Sequence, residues 1–407
     1  MIIYQYVDHT RAVNIYRQTP PTYKRLQEKK SIMERYLGEA IPKLGFGLMR
    51  LPKLSDGKID IEQTKTMVDM FMDAGLTYFD TAYVYDGGES EKAAKAALVD
   101  RYPRESYQLA TKLCAWMGDH NEASAKQQFY TSLERTGAGY FDFYLLHALQ
   151  RSNYKVFDAY HIWDFAKEQK AKGLIRNYGF SFHADPALLE ELLTDHPDVD
   201  FVQLQINYAD WENPGTASRE CWEIARRHGK PVIVMEPVKG GALADPIPEV
   251  QKILKAADPD ASVASWAIRF AASLDGIITV LSGMSDISQM KDNISYMKEF
   301  KPLDEKEQAV IRKAQDALNG DRSIPCTACH YCTDGCPMNI PIPDIFTVAN
   351  RQRGNAAFRG RREYTITTTE KGKASDCIEC GQCVNACPQQ LDVIKHLKSC
   401  AELFEQN

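Results

Sequence analysis

Short apolar segments recur about every thirty residues from Leu44 to Gly283. Runs of this kind, bounded by polar residues, are typical of strands that are buried on both faces. The intervening segments have helical spacing of their apolar residues, as in residues 89–99 and 262–272. The pattern therefore predicts eight β-strands separated by helices. The predicted strands cover residues 44–49, 78–82, 107–112, 141–147, 175–181, 201–207, 231–237 and 277–283.

Eight parallel strands that alternate with helices close into a (β/α)8 barrel. An open, doubly wound sheet is the alternative architecture. A dinucleotide site in such a sheet needs G-x-G-x-x-G after the first strand, and this sequence has none there. We therefore predict an α/β fold, a (β/α)8 TIM barrel over residues 38–300.

Polar residues follow three adjacent predicted strands at the points where these strands end. Asp80 and Tyr85 follow the second strand, Lys112 ends the third and His147 ends the fourth. Taken singly, a strand-end lysine is usually solvated and a strand-end histidine usually satisfies a local hydrogen bond. Catalytic groups of such barrels, however, lie at the carboxyl ends of the strands. Because all four residues face one barrel mouth, we interpret them as a candidate catalytic set.

Two cysteine runs near the C-terminus share the spacing C-x2-C-x2-C-x3-C-P. Three thiolates at this spacing hold one 4Fe-4S cluster, and in two-cluster ferredoxins the fourth ligates the other cluster. Zinc is the alternative, because C-x2-C pairs also bind zinc. Two identical runs, each followed by proline, favour iron–sulfur clusters. The predicted ligands are Cys326, Cys329, Cys332 and Cys387 for the first cluster, and Cys377, Cys380, Cys383 and Cys336 for the second.

Charge and composition limit the class of protein. The chain has 407 residues and a formal net charge of −6, which gives no indication of a nucleic-acid-binding or membrane-surface protein. No apolar stretch reaches the roughly 18–20 residues that a membrane helix needs, and the N-terminus lacks the apolar core of a secretory signal. Because iron-binding thiols must stay reduced, we expect a cytoplasmic protein.

We divide the chain into three regions. Residues 1–37 form an N-terminal arm without an expected catalytic role, and residues 38–300 form the barrel. Residues 301–407 hold a helical tether, at 304–315, and an α-helical ferredoxin-like domain. Arginines between the two cysteine runs form either a solvated basic face or a docking site for an acidic electron carrier, such as ferredoxin or flavodoxin. These arginines are Arg351, Arg353, Arg359, Arg361 and Arg362.

The segments F-D-T-A-x-x-Y, A-T-K and L-L-H at successive strand ends resemble the Asp-Tyr-Lys-His tetrad of the aldo/keto reductase family. The likeness covers about residues 38–300 and includes G-E-S-E (88–91), G-F-S-F-H (179–183) and residues 281–293. With its cysteine runs, the chain is similar to the ferredoxin-containing iron–sulfur branch of this family. The resemblance implies a small-molecule carbonyl or alcohol as the substrate.

The resemblance also implies a role for each member of the tetrad. Tyr85 acts as general acid in reduction and, as phenolate, as general base in oxidation. The ammonium group of Lys112 is expected to lower the pKa of Tyr85, and Asp80 holds Lys112 in place. His147 orients the substrate carbonyl as a hydrogen-bond donor.

Family members bind a nicotinamide across the strand ends, which implies NAD or NADP here. Ser181 and Gln203 match positions that hold the carboxamide, but Phe182 stands where the family has asparagine. Positions at which the family sets basic residues for the 2′-phosphate of NADP hold Gly283, Met284 and Gln289. The choice between NAD and NADP therefore stays open. Residues expected to line the rest of the cofactor site are Gly240, Gly241, Ser282, Ser285, Gln289 and Asn293.

Two functions from different classes remain open. The first is an NAD(P)H-dependent oxidoreductase that carries two 4Fe-4S clusters for electron transfer or for structure. The second is an electron-transfer or redox-sensing protein whose barrel is mainly a docking scaffold. Nicotinamide transfers two electrons as a hydride whereas a cluster transfers one, so a catalytic role for the clusters is also open.

Aromatic residues near the strand ends suggest one wall of a substrate pocket. The candidates are Tyr83, Trp116, Tyr208 and Trp211. Cys114 and Trp116, just after Lys112, are equally well explained as pocket lining or as loop packing.

Overall fold

All eight predicted apolar segments form β-strands in the computed structural model, which describes residues 37–117, 121–318, 323–354 and 360–405. The strands are parallel, pair in chain order and close through a pairing of the eighth with the first. The predicted (β/α)8 barrel is confirmed. The strands are β1 Leu44–Gly47, β2 Tyr78–Asp80, β3 Gln108–Leu113, β4 Phe141–Leu149, β5 Ile175–Phe182, β6 Phe201–Gln205, β7 Val232–Met235 and β8 Ile277–Ser282.

Helices cover the outside of the barrel. Several have an N-cap residue whose side chain accepts a hydrogen bond from a backbone N–H group of the first turn. Asp60, Asn121, Asp185, Ser262 and Asp286 each do so from the residue three positions later. Both predicted helical segments form; the first ends in a π-helical turn, Lys95–Val99. The helices are α1 Ile61–Asp73, α2 Glu89–Ala94, α3 Glu122–Thr136, α4 Tyr154–Ala159, α5 Ile162–Ala171, α6 Pro186–Asp195, α7 Ser218–Arg227, α8 Pro248–Ala257, α9 Val263–Ala272 and α10 Ile287–Met297.

The barrel interior is filled by alternate residues of the strands, because successive side chains of a strand point to opposite faces. Tyr78, Phe143 and Phe201 are fully buried there, and their rings contact edge to face or at a tilt. Leu37 and Ile41 pack against this interior cluster. Apart from Leu37, the predicted N-terminal arm lies outside the described residues. A packed interior leaves only the ends of the barrel for a binding site.

The predicted tether is a helix, α11 (Glu305–Leu318), that packs on the outside of the barrel. Its residues Ile311 and Ala314 are buried in one cluster with Val250 and Leu254 of α8. Gln315 Nε2 also donates a hydrogen bond to the Tyr208 carbonyl, at 2.9 Å. The helix is therefore bound along its length to the barrel.

The C-terminal segment is helical and has its own apolar core, which includes Ile342, Phe346, Leu397 and Phe404. None of the helices in the described parts of the chain combines the length and apolarity needed to cross a lipid bilayer. The helices of this segment are α12 Tyr331–Asp334, α13 Ile342–Gly354, α14 Gly360–Thr367, α15 Gln382–Ala386 and α16 Val393–Glu405.

The two cysteine runs fold alike. In each run, the residue before the second cysteine, the residue after it, and the third residue after the fourth cysteine all have positive φ. Left-handed backbone is uncommon outside glycine, so its recurrence at three matched positions identifies a structural repeat. The matched pairs are Ala328 with Glu379, His330 with Gly381, and Asn339 with Gln390.

We predict that Gly179→Ala destabilises the barrel. A Cβ at this position in β5 would overlap the backbone carbonyl oxygen of Phe201 in β6, so the strands would have to separate locally. Overpacking of this kind costs about 1–3 kcal/mol, which denaturant unfolding under anaerobic conditions would measure. Gly283→Ala is the control, because the closest atom to its Cβ would be Arg50 Cβ at 3.6 Å. Equal unfolding midpoints for the two variants would contradict the prediction.

Candidate active site

The alternation of the strands brings three of the four predicted catalytic residues to the same interior layer. Asp80 lies two residues beyond Tyr78, and Lys112 two beyond Ala110; His147 continues the series of Phe143 and Leu145. Asp80, Lys112 and His147 are therefore buried at the carboxyl end of the barrel, at 2%, 0% and 3% exposure.

Lys112 is held by three oxygen atoms. Its Nζ forms an ion pair with Asp80 Oδ1 and donates to the Thr81 carbonyl at 2.7 Å. Tyr85 Oη lies 3.3 Å from the same nitrogen. The predicted Asp-Lys-Tyr contacts are thus present in the structure.

A tight turn places Tyr85. Asp86, Gly87 and Gly88 all have positive φ directly after it, and the Arg135 guanidinium occupies the space where a Gly88 side chain would lie. The G-E-S-E segment anchors this turn to the barrel. Ser90 Oγ donates to the Leu48 carbonyl at 2.9 Å, and Glu91 accepts from Thr111 Oγ1 at 2.7 Å.

Burial raises the pKa of the Tyr85 phenol well above its usual value of 10. The neighbouring Tyr331 and Asp80 act in the same direction. This direction is opposite to the expectation that Lys112 would lower the pKa of Tyr85. Burial also lowers the pKa of Lys112 and raises that of Asp80, while the attraction between these two opposes both shifts. The phenol is consequently protonated throughout the neutral pH range.

His147 contacts two residues that follow Lys112. Its Nδ1 lies 2.9 Å from Cys114 Sγ, and its carbonyl accepts a hydrogen bond from Trp116 Nε1 at 3.0 Å. Burial lowers the pKa of His147 well below 6.5, and the positive charge of Lys112 adds to the effect. Burial raises the pKa of Cys114 well above 9. A neutral imidazole therefore faces a protonated thiol.

A cavity of about 380 Å³ opens at this end of the barrel. Tyr85, His147 and Asp80 line it, whereas Lys112 lies behind them. The Gln203 side chain is buried, and its Oε1 has no hydrogen-bond partner within the described part of the chain. Every predicted cofactor residue lines the same cavity: Ser181, Gln203, Gly240, Gly241, Ser282, Ser285, Gln289 and Asn293.

Hydrogen bonds shape the part of the cavity that follows β8. Asn293 Nδ2 donates to Ser282 Oγ at 2.7 Å, and Ser285 N–H donates to Gln289 Oε1 at 2.8 Å.

Phe182, at the position where the family has asparagine, packs in the apolar core between the barrel strands and the surrounding helices.

Two basic residues are candidates for binding an anion at the cavity: Arg50, which lines it, and Lys239, which directly precedes the lining residue Gly240. Lys239 is paired with the buried carboxylate of Asp210. The aliphatic part of Arg50 lies beside Gly283, and Arg50 lines the cavity. Arg50, which follows β1, therefore places a cation beside Gly283, although the segment after β8 has no basic residue at the positions where the family has them.

The C-terminal segment covers the cavity, through residues Thr327, Cys329, Tyr331, Pro388 and Gln389. Arg50 Nη2 donates to the Thr327 carbonyl at 2.7 Å. The side-chain amides of Gln205 and Gln389 bond to each other at 2.8 Å. The ring of Tyr331 contacts those of Trp116 and His147 edge to face, with centroids 6.4 Å apart in both cases. The site is thus built from both regions of the chain.

The eight cysteines of the two runs surround two further small cavities. Several backbone N–H groups point at the sulfur atoms. The Ala328 nitrogen lies 3.4 Å from Cys326 Sγ, and the N–H groups of Gln389, Gln390 and Leu391 point at the sulfur of Cys387. Within the described ranges, no three His, Cys, Asp or Glu side chains are arranged to hold a single metal ion. One cavity is lined by Cys326, Cys329, Cys332 and Cys387, and the other by Cys336, Cys377, Cys380 and Cys383.

Several site residues were not found from the sequence. Tyr331 lies in the first cysteine run and Gln389 directly follows the second, and the spacing of the runs gave no sign that these residues face the barrel. Glu236 also lines the cavity; burial raises its pKa, and Arg50 lies 3.7 Å away. Glu236 directly follows β7 and has a positive φ, and the sequence gave no indication of this backbone conformation.

None of the four aromatic residues expected in the pocket wall is among the described residues that line the cavity, although Trp116 contacts one of these, Tyr331. The ring of Tyr83 lies beneath the guanidinium of Arg135. Tyr208 and Trp211 pack against Phe270, outside the barrel. The expected aromatic wall was wrong for these three residues, because their side chains pack against Arg135 or Phe270 and none of them lines the cavity.

Comparison with known proteins agrees with this architecture. The model of the Aldo/keto reductase family matches residues 43–316, and that of the 4Fe-4S dicluster domain matches residues 325–391. The uncharacterized oxidoreductase YqkF of Bacillus subtilis is 24% identical over 285 residues, which cover 62% of this chain and 86% of that protein. An aldo-keto reductase of Mycolicibacterium smegmatis is 28% identical over 214 residues, covering 52% and 69%.

Solved structures share the barrel. The holo form of the aldo-keto reductase AKR11C1 from Bacillus halodurans is 27% identical, with a TM-score of 0.56, and the match covers 69% of this chain and 95% of that one. An aldo/keto reductase from Klebsiella pneumoniae, in complex with NADP and acetate, is 21% identical with a TM-score of 0.54, covering 68% and 92%.

The family match spans more than half of the chain, and the iron–sulfur match follows it directly. This protein is an oxidoreductase of the aldo/keto reductase family, in the branch that carries a ferredoxin-type 4Fe-4S domain at its C-terminus.

Proposed function

We propose that this enzyme interconverts a carbonyl compound and an alcohol, uses a nicotinamide cofactor and carries two 4Fe-4S clusters. One observation carries the first part of the proposal. The buried pair of Lys112 and Asp80 supports Tyr85 beside His147, at a cavity that also contains the family's cofactor positions. A docking scaffold without catalytic chemistry gives no reason to bury an ion pair behind a phenol.

Tyr85 is the proposed proton donor. A reduced nicotinamide, when bound, supplies a hydride to the carbonyl carbon. The carbonyl oxygen then gains negative charge, and a proton from Tyr85 Oη neutralises it. The raised pKa of Tyr85 keeps this proton available at neutral pH. Lys112 Nζ, at 3.3 Å, stabilises the phenolate that remains after the transfer, and Asp80 holds Lys112 in place.

His147 is the proposed second donor to the carbonyl oxygen. A neutral imidazole carries one proton, so only one of its nitrogens donates. Because the thiol of Cys114 keeps its proton, we infer that it donates to His147 Nδ1. The ring proton then resides on Nε2, where it can hydrogen-bond the substrate oxygen. Cys114 thus selects the tautomer that the reaction needs.

The cavity fits the nicotinamide by the polar atoms that it presents. Gln203 Oε1 is buried without a hydrogen bond among the described residues, and Ser181 is adjacent to it across β5 and β6. A carboxamide N–H would satisfy Gln203, as buried polar groups require. The backbone of Gly240 lies against Thr327, where a side chain would overlap the Thr327 carbonyl, so the cavity wall there needs glycine.

Each group of four cysteines is the proposed ligand set of one cluster. The set Cys326, Cys329, Cys332 and Cys387 lines one cavity, and Cys336, Cys377, Cys380 and Cys383 line the other. The fit is supported by the backbone N–H groups that face the sulfurs, since bound thiolates carry negative charge. When present, the clusters supply one-electron chemistry.

An acidic electron carrier, ferredoxin or flavodoxin, is the proposed partner of the C-terminal segment. Cys380 is exposed, and Arg361 and Arg362 are exposed on α14. Positive side chains near an exposed redox group favour docking of an acidic carrier. Of the other arginines between the runs, Arg351 pairs with Glu363 at 2.5 Å. Arg359 and the side chain of Arg353 lie outside the described part of the chain.

We expect Tyr85→Phe to lower kcat by at least about a hundredfold, because the proton donor is lost while the ring remains. The Kd of the nicotinamide should change little, since the phenol acts only in the transition state. Turnover of glyceraldehyde with NADH and NADPH, and cofactor titration by fluorescence, measure the two quantities. Tyr83→Phe is the control and should keep wild-type turnover. A fully active Tyr85→Phe enzyme would rule out the proposed mechanism.

We expect Cys114→Ala to lower kcat about ten- to a hundredfold, because the imidazole of His147 loses the thiol that sets its tautomer. Cys114→Ser retains a donor and should restore most of the activity. Nitrogen-15 NMR shifts of the His147 ring should report an Nε2 proton in the wild type and a mixed population in Cys114→Ala. If Cys114→Ala matched the wild type in both measurements, the thiol would have no positioning role.

We expect anaerobically purified protein to contain about eight irons per chain, because the two ligand sets hold four each. Cys329→Ser should lose up to about half of this iron, and Cys221→Ser, which changes a buried thiol outside the runs, should lose none. Metal analysis by mass spectrometry measures both. Zinc in place of iron, or about four irons in the wild type, would exclude the two-cluster assignment.

A further inference from the structure

Tyr331 is the residue of the C-terminal segment that faces the catalytic groups. It starts the short helix α12, between Cys329 and Cys332, and lines the cavity together with Tyr85 and His147. Its ring meets the His147 ring edge to face at 6.4 Å, and the Trp116 ring at the same distance. The rings of Tyr331 and His147 line the cavity next to the proposed position of the substrate carbonyl, and the ring of Trp116 supports that of Tyr331.

The spacing of these rings limits what can enter beside His147. Aromatic pairs with centroids within about 7 Å are in contact. An aryl group of a substrate placed between the rings of Tyr331 and His147 would need carbon–carbon distances of about 3.5 Å to both rings. The space between Tyr331 and His147 is therefore closed to an aryl group.

The C-terminal segment that contains Tyr331 is hydrogen-bonded to the barrel on two sides of the cavity. Arg50 Nη2 binds the Thr327 carbonyl at 2.7 Å, four residues before Tyr331. On the other side, the amides of Gln205 and Gln389 bond at 2.8 Å. Gly240 also lies against Thr327 so closely that a Cβ there would overlap its carbonyl. These contacts hold the loop that carries Tyr331 against the barrel.

The volume of the cavity agrees with a small substrate. It measures about 380 Å³, and the same cavity includes the cofactor positions from Ser181 to Asn293. Ligand cavities usually measure about 300–1,000 Å³, so this cavity, which also contains the proposed nicotinamide positions, is at the small end of that range.

We propose that Tyr331, a residue of the iron–sulfur segment, sets the size limit of the substrate: the site accepts compact aldehydes and ketones and excludes aryl and polycyclic ones. This inference rests on the proposed function. The C-terminal domain then has a role in specificity that is separate from its clusters, because its polypeptide forms a wall of the active site.

The test compares Tyr331→Ala, which removes the ring, with Tyr331→Phe, which keeps it. His330→Asn is the matched control in the same loop: His330 is exposed, does not line the cavity and has a φ of 64°, a conformation that asparagine tolerates. All proteins are full-length, purified anaerobically and matched in iron content, since Tyr331 lies between two proposed ligands.

The primary measurement is binding of 2-naphthylmethanol, by ligand-observed NMR with oxidised nicotinamide present. We expect Tyr331→Ala to bind it at least about tenfold more tightly than the wild type, and Tyr331→Phe and His330→Asn to resemble the wild type. No gain in affinity for Tyr331→Ala overturns the proposal, as does a wild type that binds 2-naphthylmethanol as tightly as that variant.

Turnover separates this inference from the proposed function. With glyceraldehyde and 2-naphthaldehyde, the wild type should strongly prefer the small aldehyde, and Tyr331→Ala should lose at least about tenfold of that preference in kcat/KM. A wild type that reduces neither aldehyde contradicts the proposed function, and the binding measurement still decides the role of Tyr331. A wild type that reduces both equally well overturns the size limit alone.

Discussion

Lys112 carries its ammonium group into the barrel interior, where no part of the side chain reaches solvent. A buried charge is costly unless it is paired and fully hydrogen-bonded, so the surrounding structure must supply partners. Asp80 and the Thr81 carbonyl do so from β2 and the residue after it, and Tyr85 from the turn that follows. The turn itself depends on left-handed residues and on Arg135. The geometry of the proposed proton donor thus follows from the need to satisfy one buried cation.

Burial acts on the electrostatics of the site in a consistent way. It raises the pKa of Tyr85 and of Cys114 and lowers that of His147. Tyr85 and His147 are therefore neutral donors at the cavity, and the neutral thiol of Cys114 contacts His147 Nδ1. Neutral donors suit a reaction in which charge appears on the substrate oxygen only in the transition state, because they stabilise that charge without holding an anion beforehand. Tyr331 also raises the pKa of Tyr85, so the C-terminal segment contributes to this electrostatic environment as well as to the wall.

Alternation and strand order were enough to predict the barrel and the approach of Asp80, Lys112 and His147. The alternation within a strand and the order of the strands can both be read from short stretches of sequence. Because the strands of a closed parallel barrel end at the same rim, residues at the ends of neighbouring strands meet in one site. The pKa of Tyr85 was predicted in the wrong direction, because only its pairing with Lys112 was visible. Its burial depends on residues distant in sequence. Likewise, Tyr331 lies more than 180 residues after His147, and no periodicity reveals that a cysteine loop covers a barrel mouth.

The cavity belongs to both regions of the chain. Thr327, Cys329 and Gln389 line the catalytic cavity and also the cavity surrounded by the first group of cysteines. The second group lies on the other side of Ile342, which borders both cysteine cavities, and it includes the exposed Cys380. The first group is therefore adjacent to the proposed carbonyl site, and the second opens to solvent. A change at Thr327 or Tyr331 of the first cysteine loop therefore alters the wall of the candidate active site even where it leaves the thiols untouched.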